Sequence, residues 1–390
     1  MLYQPARQGT DMTRIAFFGH DVADAAVRRR ARGFQDDGFQ VTGFMMRRRE
    51  PLALEWDNVD LGQTRDGAFL QRIRQVFRGA RIAAASGDKL RSADVIYARN
   101  LDMLACAFLA KRHAKLGTPV IYECLDIHRL LCRQDVIGKG LRALEGWLLK
   151  RSAALVVSSP AYLTQHFERH YPGKFEAYLI ENRLSGHANY GARVSATKAK
   201  PPGQLRLGWV GNLRCRRSLD LLCQIADRFG DQVEVRLHGV PALTEIPDFE
   251  AKIAARPNMS FYGRYKSPED LPGIYSALDV VWSGDFMEAG LNSTWLLPNR
   301  IYEGGYYCVP PIAPAETETG RWVVRHECGF VLDEPLETTL PGLIEDLLHD
   351  APRITACSNA LAGLPEETFV QPHGFLRQLI ETAVKPKVAS

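Results

Sequence analysis

"LRLGWVGNLRCRRSLDLL", Leu205–Leu222, decides how this chain is read. Its first six residues form the short apolar run of a buried strand, and Ser218 onward begins an amphipathic helical pattern. Gly211 lets the chain turn closely between the two. Ser218 is the expected N-cap, with Asp220 in the first turn. Between strand and helix stand Arg214, Arg216 and Arg217. A helix N-terminus already favours an anion through its free N–H groups and its dipole. Guanidinium donors beside it make a diphosphate the natural occupant. A solvent-facing basic turn is the plainer reading of the same residues. Neither GxGxxG nor GxxxxGK[ST] occurs, which argues against a nicotinamide cofactor or a P-loop nucleotide.

The same strand–helix alternation continues in both directions. Downstream, "VEVRLHG", "MSFYG", "DVVWSG", "PPIAP" and "GFVLDEP" read as strands; upstream, "RIAFFG", "VTGFMM", "DVIYA", "PVIYEC", "ALVVSS" and "AYLIEN" do. Helical stretches lie between them, among them "DMLACAFLAKRHAKLG", with Gly117 suited to a C-cap. Strands and helices alternating at this pace predict α/β architecture with parallel sheets covered on both faces. A chain of 390 residues exceeds one ordinary core, so two domains are expected. The polar, aperiodic segment around 191–204 separates them: 1–190 and 205–365 each read as a Rossmann-like domain. Residues 366–390 carry one more amphipathic helix, expected to pack back on the first domain. Two such domains leave a cleft into which the carboxyl ends of their strands open.

Composition narrows the classes. No apolar run approaches a membrane span, and the N-terminus lacks the apolar core of a secretory signal. The eight cysteines show no CxxC and read as reduced core residues, so neither disulfides nor a metal cluster is expected. Residues 1–200 hold 32 Lys and Arg against 20 Asp and Glu, a balance of +12, whereas the rest hold 17 against 25, or −8. A basic half suggests an anionic partner: a membrane surface, a phosphorylated lipid or, more remotely, nucleic acid, for which no recognised module is present. A solvated basic face explains the count equally well. The segment "GKGLRALEGWLLKRSA" puts Leu141, Leu144, Trp147 and Leu148 on one helical face among basic residues. It reads as a core-packed helix or as an interfacial helix on an anionic membrane.

Three ordered elements then resemble the GT-B glycosyltransferases, and glycosyltransferase family 4 in particular. "VGNLRCRRSLDLL" matches the opening of their second domain, placing Arg217 on the family's lysine and Ser218 on its glycine. "RLHGV" followed by "SFYGRYKSPEDLPGIYSALDVVW" matches the next elements. "PNRIYEGGYYCVPPI" matches the Pro-Asn-Lys-x-x-Glu element, placing Glu303 on the ribose-binding glutamate. "DVIYARNLDMLA", "PVIYECLDIH" and "ALVVSSPAYL" extend the likeness loosely through the first domain, so it spans nearly the whole chain. Three positions depart from the pattern. Trp295 stands where many relatives have a glutamate facing the donor sugar, Asn212 where an arginine often follows "VG", and Cys308 where a glycine is usual. Glu288 and Asn292 lie near enough in sequence to supply the lost contact.

The resemblance implies a donor site of Gly211, Asn212, Arg214, Arg216, Arg217, Gly239, Arg264, Tyr265, Asn292, Asn299, Arg300 and Glu303. Arg217 and Glu288 would serve the chemistry there. Across the cleft, His20, Asn100, Asp102 and Glu123 follow strands and are candidates for the acceptor, with Asp126 and His128 placed to orient its hydroxyl or take its proton. Helix caps and loop hydrogen bonds are the plainer roles for these six. The expected activity is sugar transfer, with retention of configuration, from a nucleotide-sugar to a glycan or lipid-linked acceptor in polysaccharide or cell-envelope glycan assembly. No DxD occurs, so no metal or other cofactor is expected; location is expected in the cytoplasm, peripheral to the membrane. The rivals are a non-catalytic nucleotide-sugar or glycan-binding protein and a nucleotide-sugar epimerase on the same fold.

Overall fold

A computed structural model of the chain describes residues 13–48, 54–64, 69–193, 203–287 and 292–385. The first sheet contains Arg14–Gly19 (β1), Gln40–Arg47 (β2), Asp57–Gln63 (β3), Val95–Arg99 (β4), Val120–Cys124 (β5), Ala154–Val157 (β6) and Ala177–Leu179 (β7), ordered β3-β2-β1-β4-β5-β6-β7. All its pairings are parallel. Leu184–Ser185 (β8) then leads to the second sheet of Leu205–Leu213 (β9), Val233–Pro241 (β10), Met259–Phe261 (β11), Val280–Trp282 (β12), Pro311–Pro314 (β13) and Phe330–Leu332 (β14). Its order is β11-β10-β9-β12-β13-β14, again parallel throughout. Every segment read as a strand in the sequence lies at a strand here; β3, the two-residue β8 and the two-residue strand Val370–Gln371 are additions.

Helices cover both faces of the first sheet because its central strands are apolar on both sides. Phe18, Ile96 and Tyr122 point into one core with the helices Phe69–Ala85 (α2), Leu101–Ala114 (α3) and Val136–Leu149 (α4). Phe17, Tyr97 and Ile121 point into the other, against Ala25–Asp36 (α1). The tail helix Phe375–Val384 packs into that second core through Leu376, Leu379 and Ile380. Asp37, just past α1, accepts hydrogen bonds from the amides of Gly374 and Leu376 at 2.8 Å each. The C-terminal strand Val370–Gln371 (β15) pairs with β8, so the chain crosses between the domains twice. Helix α3 stops earlier than Gly117 suggests, at Lys115, whose left-handed backbone (φ 55°) forms the cap. In α4, Leu148 is buried and Leu141 half-buried, while Leu144 and Trp147 are exposed, so the predicted apolar face is split between core and solvent.

Candidate active site

The carboxyl ends of both sheets face each other across a cleft, and β9 supplies its first feature. Gly211 has φ +111°, and on the neighbouring strand Gly239 has φ +136°. A side chain at Gly239 would lie 1.8 Å from the Gly211 carbonyl oxygen, so the tight convergence of β9 and β10 requires glycine there. The helix Arg216–Phe229 (α5) follows, and its cap differs from the expected one. Cys215 is the N-cap, its Sγ accepting from the Ser218 amide at 3.3 Å and from the Phe286 amide at 3.2 Å. Ser218 sits in the first turn and donates its hydroxyl to the Gly284 carbonyl at 3.2 Å.

The three arginines that opened the question fan out to separate carboxylates. Arg214 donates through Nε to Asp285 at 3.0 Å. Arg216 is turned to Asp248, at 2.7 Å, in an exposed pair. Arg217 bridges Glu334 and Glu337, at 2.7 and 3.0 Å, and its guanidinium lies 4.8 Å from the Phe286 ring centre.

The group standing against the helix start is a fourth arginine. Arg300, on the helix Asn299–Tyr306 (α6), is only 5% exposed. Its Nη1 donates to the Val210 carbonyl at 3.3 Å and its Nη2 to the Gly284 carbonyl at 3.1 Å, the carbonyl that Ser218 also uses. Its Nε has no partner among the described residues. Burial lowers its pKa, opposed by the charge of Asp285, yet an arginine stays protonated regardless. Arg300 thus pins the ends of β9 and β12 to the first turn of α5 as a desolvated cation whose acceptors among the described residues are carbonyls.

One turn along α6, Glu303 is buried too (4% exposed), so it is not a surface carboxylate. Its Oε2 accepts from Tyr275 at 2.9 Å and Tyr265 at 3.3 Å. Burial raises its pKa above the ordinary carboxylate value, against those two hydrogen bonds and the charges of Arg29 and Arg300. Arg29, on α1, therefore reaches its field from the opposite domain. Asn299 is half-buried beside Arg300, while Asn212 and Arg264 are exposed. Glu288 lies outside the described residues.

Asn292 joins the walls of the cleft: its Nδ2 donates to Asp126 Oδ1 at 3.0 Å and to the Ile127 carbonyl. Tyr162 donates to the same Asp126 oxygen at 3.4 Å. Next to it, the Ser159 hydroxyl donates to the carbonyl of Trp295, whose ring packs against the first domain's core.

No known protein-family profile matches the chain. It is 40% identical over 358 residues to the succinoglycan biosynthesis protein ExoL of Rhizobium meliloti (strain 1021), covering 89% of each chain. The chain belongs to the ExoL family. Among solved structures it superposes on sucrose-phosphate synthase from Thermosynechococcus elongatus with a TM-score of 0.71 and 14% identity, over 95% of this chain and 98% of that one. It superposes likewise on Anabaena HepE in complex with UDP-glucose, with a TM-score of 0.66 and 16% identity over 95% and 98%. The fold of this ExoL-family chain is therefore GT-B, as the motif resemblance implied.

On the first domain's wall, the family member holds most of its candidate residues in local structure. Glu123, 2% exposed, pairs with Arg30 at 2.9 Å and with Arg99 at 2.7 Å. Burial alone would raise its pKa; the two guanidiniums outweigh that and lower it. Both its oxygens are taken up by these cations, so this candidate acceptor contact is held in an internal ion cluster. Asp102 is tied to Arg72 of α2 at 2.7 Å. Asn100 (φ 68°) turns the chain into α3, and its Oδ1 accepts from the Leu125 amide at 3.4 Å. His128 caps the short helix Arg129–Cys132, its Nδ1 accepting from the Leu130 amide at 3.2 Å. His20 differs: it is buried after β1, and its Nδ1 has no partner among the described residues. Burial, outweighing the attraction of Asp24 and Asp102, lowers its pKa, leaving a neutral imidazole at neutral pH. Asp285, Tyr275 and Arg29 were invisible as site residues in the sequence, because their partners lie tens to hundreds of positions away. Among the described residues, no cluster of three or more His, Cys, Asp or Glu is placed to hold a metal ion.

Proposed function

We propose that this GT-B glycosyltransferase moves a sugar from a nucleotide-sugar donor to a glycan or lipid-linked acceptor during polysaccharide biosynthesis. The observation that carries the reading is Arg300, a desolvated guanidinium beside the start of α5 that is hydrogen-bonded to no carboxylate among the described residues. A buried cation of this kind is costly unless an anion completes it. The diphosphate of the donor meets Arg300, Arg214 and the free amides of the first helical turn. Arg217 joins them by leaving Glu334 and Glu337, an exchange that costs little because exposed ion pairs are weak, about 0.2–1 kcal/mol. Arg216 remains with Asp248, outside this set. Breaking the anomeric bond increases the negative charge on the leaving nucleoside diphosphate, so cations fixed there stabilise the transition state more than the bound substrate. These guanidiniums take the place of a metal ion.

Glu303 accepts hydrogen bonds from the donor's ribose hydroxyls, and Tyr265 and Tyr275 hold it in position. HepE, which holds UDP-glucose on the same fold, supports the donor class; the relative's role in succinoglycan biosynthesis supports the product class. His20 takes or orients the acceptor's hydroxyl proton, since a neutral imidazole with an unpartnered nitrogen is competent for that task. Asp126 and Asn292 form a strut across the cleft that excludes water when the domains are closed. Retention at the anomeric carbon follows from the family resemblance, and NMR of the new linkage tests it. The enzyme works in the cytoplasm, peripheral to the membrane.

The test is a panel of nucleoside diphosphates and nucleotide-sugars screened by thermal stabilisation, followed by assay of nucleoside-diphosphate release with a membrane extract as acceptor source. Stabilisation by one nucleotide, with acceptor-dependent release, supports the reading. Binding without release indicates a non-catalytic protein; conversion of donor without acceptor indicates an epimerase; stabilisation by no nucleotide removes the reading.

A further inference from the structure

Helices α2, α3 and α4 lie side by side on one face of the first sheet, and their outer surface is unlike the rest of the domain. All six exposed large hydrophobics described in that domain are on α2 and α4: Ile73, Phe77, Val136, Ile137, Leu144 and Trp147. Val136 is 84% exposed, Phe77 53% and Trp147 51%. Single exposed apolar side chains are ordinary, but their concentration on two neighbouring helices amid basic residues marks an interaction surface.

The charges on the same surface are one-sided. Helix α2 carries four arginines and no acidic residue. Arg72 is spent on Asp102, whereas Arg74, Arg78 and Arg81 have no ion-pair partner among the described residues. On α4 the one carboxylate, Glu145, is turned inward and buried, accepting from Tyr122 at 2.8 Å and Tyr171 at 2.7 Å and contacting His166 at 2.7 Å. What remains outside is basic: Lys139, Lys150 and Lys174 line an open groove with Trp147, and Arg151 stacks over the Trp147 ring at 4.0 Å. On the opposite face of the sheet Arg30, Arg32 and Arg377 are paired with Glu123, Glu55 and Glu381, while Arg28 and Arg29 there have no ion pair among the described residues.

We propose that the outer surface of α2, α3 and α4 is a docking face for an anionic lipid bilayer. Aromatic and aliphatic side chains enter the headgroup boundary, with tryptophan suited to that depth, while long basic side chains reach lipid phosphates around them. No helix among the described residues is long and apolar enough to cross a membrane, so the contact lies along the surface. The cleft edge is near: α4 follows the Asp126–His128 loop, and α3 begins beside Asn100. The docking face extends the proposed function by bringing the cleft to a lipid-linked acceptor, and its test uses neither donor nor acceptor, so either reading can fail alone.

The experiment is co-sedimentation of the full chain with phosphatidylcholine vesicles, with and without phosphatidylglycerol. The proposal expects binding to the anionic vesicles that weakens with added salt. It further expects a loss of about tenfold or more in partitioning for Arg74→Glu/Arg78→Glu/Arg81→Glu and for Phe77→Ser/Trp147→Ser. Arg228→Glu, on the other domain, should bind as wild type does. Circular dichroism confirms that each variant is folded. Equal binding to neutral vesicles, no binding by the wild type, or unchanged binding by both multiple variants would overturn it. So would a dimer in light scattering that the same substitutions dissociate, because a second copy would then be what covers the face.

Discussion

Arg300 and Arg99 are both buried arginines at the ends of central strands or the helices above them, one on each wall of the cleft. Arg99 has a carboxylate at 2.7 Å in Glu123, which Arg30 shares. Arg300 has hydrogen bonds to carbonyl oxygens alone among the described residues. The first arrangement pairs its charges within the chain, although Arg99 Nη1 has no partner among the described residues, and it belongs to the fold. The second leaves a buried positive charge at a helix start, and in the proposed function it meets the donor's diphosphate. The two carboxylates repeat the contrast, since Glu123 has its pKa lowered by its cations and Glu303 has its pKa raised by burial. What separates structure from site in this molecule is whether a buried charge is neutralised from within the chain.

The largest effect should come from breaking the paired arrangement. Glu123→Gln leaves two buried guanidiniums facing one neutral amide and should destabilise the protein by about 3–5 kcal/mol. Thermal unfolding measures this, and nucleoside-diphosphate affinity of the fraction that remains folded should be unchanged. Arg300→Ala should do the reverse: a loss of about 1.5–3 kcal/mol in calorimetric nucleoside-diphosphate binding, the range for a hydrogen bond to a charged group. Destabilisation without loss of affinity would make Arg300 another structural arginine.

The two carboxylates should respond to acid with opposite signs. Glu123 has a depressed folded pKa, so its contribution to stability is present above the unfolded carboxylate pKa and is lost as pH falls through the folded value, below the ordinary range. Glu303 has a raised folded pKa, so its ionisation opposes folding at neutral pH, and Glu303→Gln should leave unfolding temperature unchanged or higher. Donor binding needs the ionised form, so affinity should fall on acidification from above the ordinary carboxylate range downward. Titrations of wild type and Glu303→Gln check this, and the variant should bind weakly with a flat profile. The smallest effect belongs to Tyr265→Phe. It removes one long hydrogen bond to Glu303 and should weaken binding by about 0.5–1.5 kcal/mol, measured in the same titration.

The strands were legible because their apolar runs are buried on both faces, as "VIYEC" in β5 shows. β3, "DNVDLGQ", escaped notice as a polar edge strand with one buried residue, Leu61. The glycines at 211 and 239, Arg300 and Glu303 were legible through motif order. The fanning of Arg214, Arg216 and Arg217 was not, because Asp285, Asp248 and Glu334 come from elements 32 to 117 positions away. Cys215 as a cap was hidden for a different reason: thiols rarely serve there, and Ser218 offered the usual hydroxyl. On α4, helical periodicity grouped Trp147 with Leu148, but periodicity cannot say how wide a strip the core covers.

The most direct measurement is a crystal structure of the protein with UDP or GDP bound. The account predicts a β-phosphate against the first turn of α5, within hydrogen-bond distance of Arg300 or Arg214, and the ribose on Glu303. A nucleotide bound elsewhere, or Arg300 still satisfied by the Val210 and Gly284 carbonyls with no phosphate beside it, would contradict it.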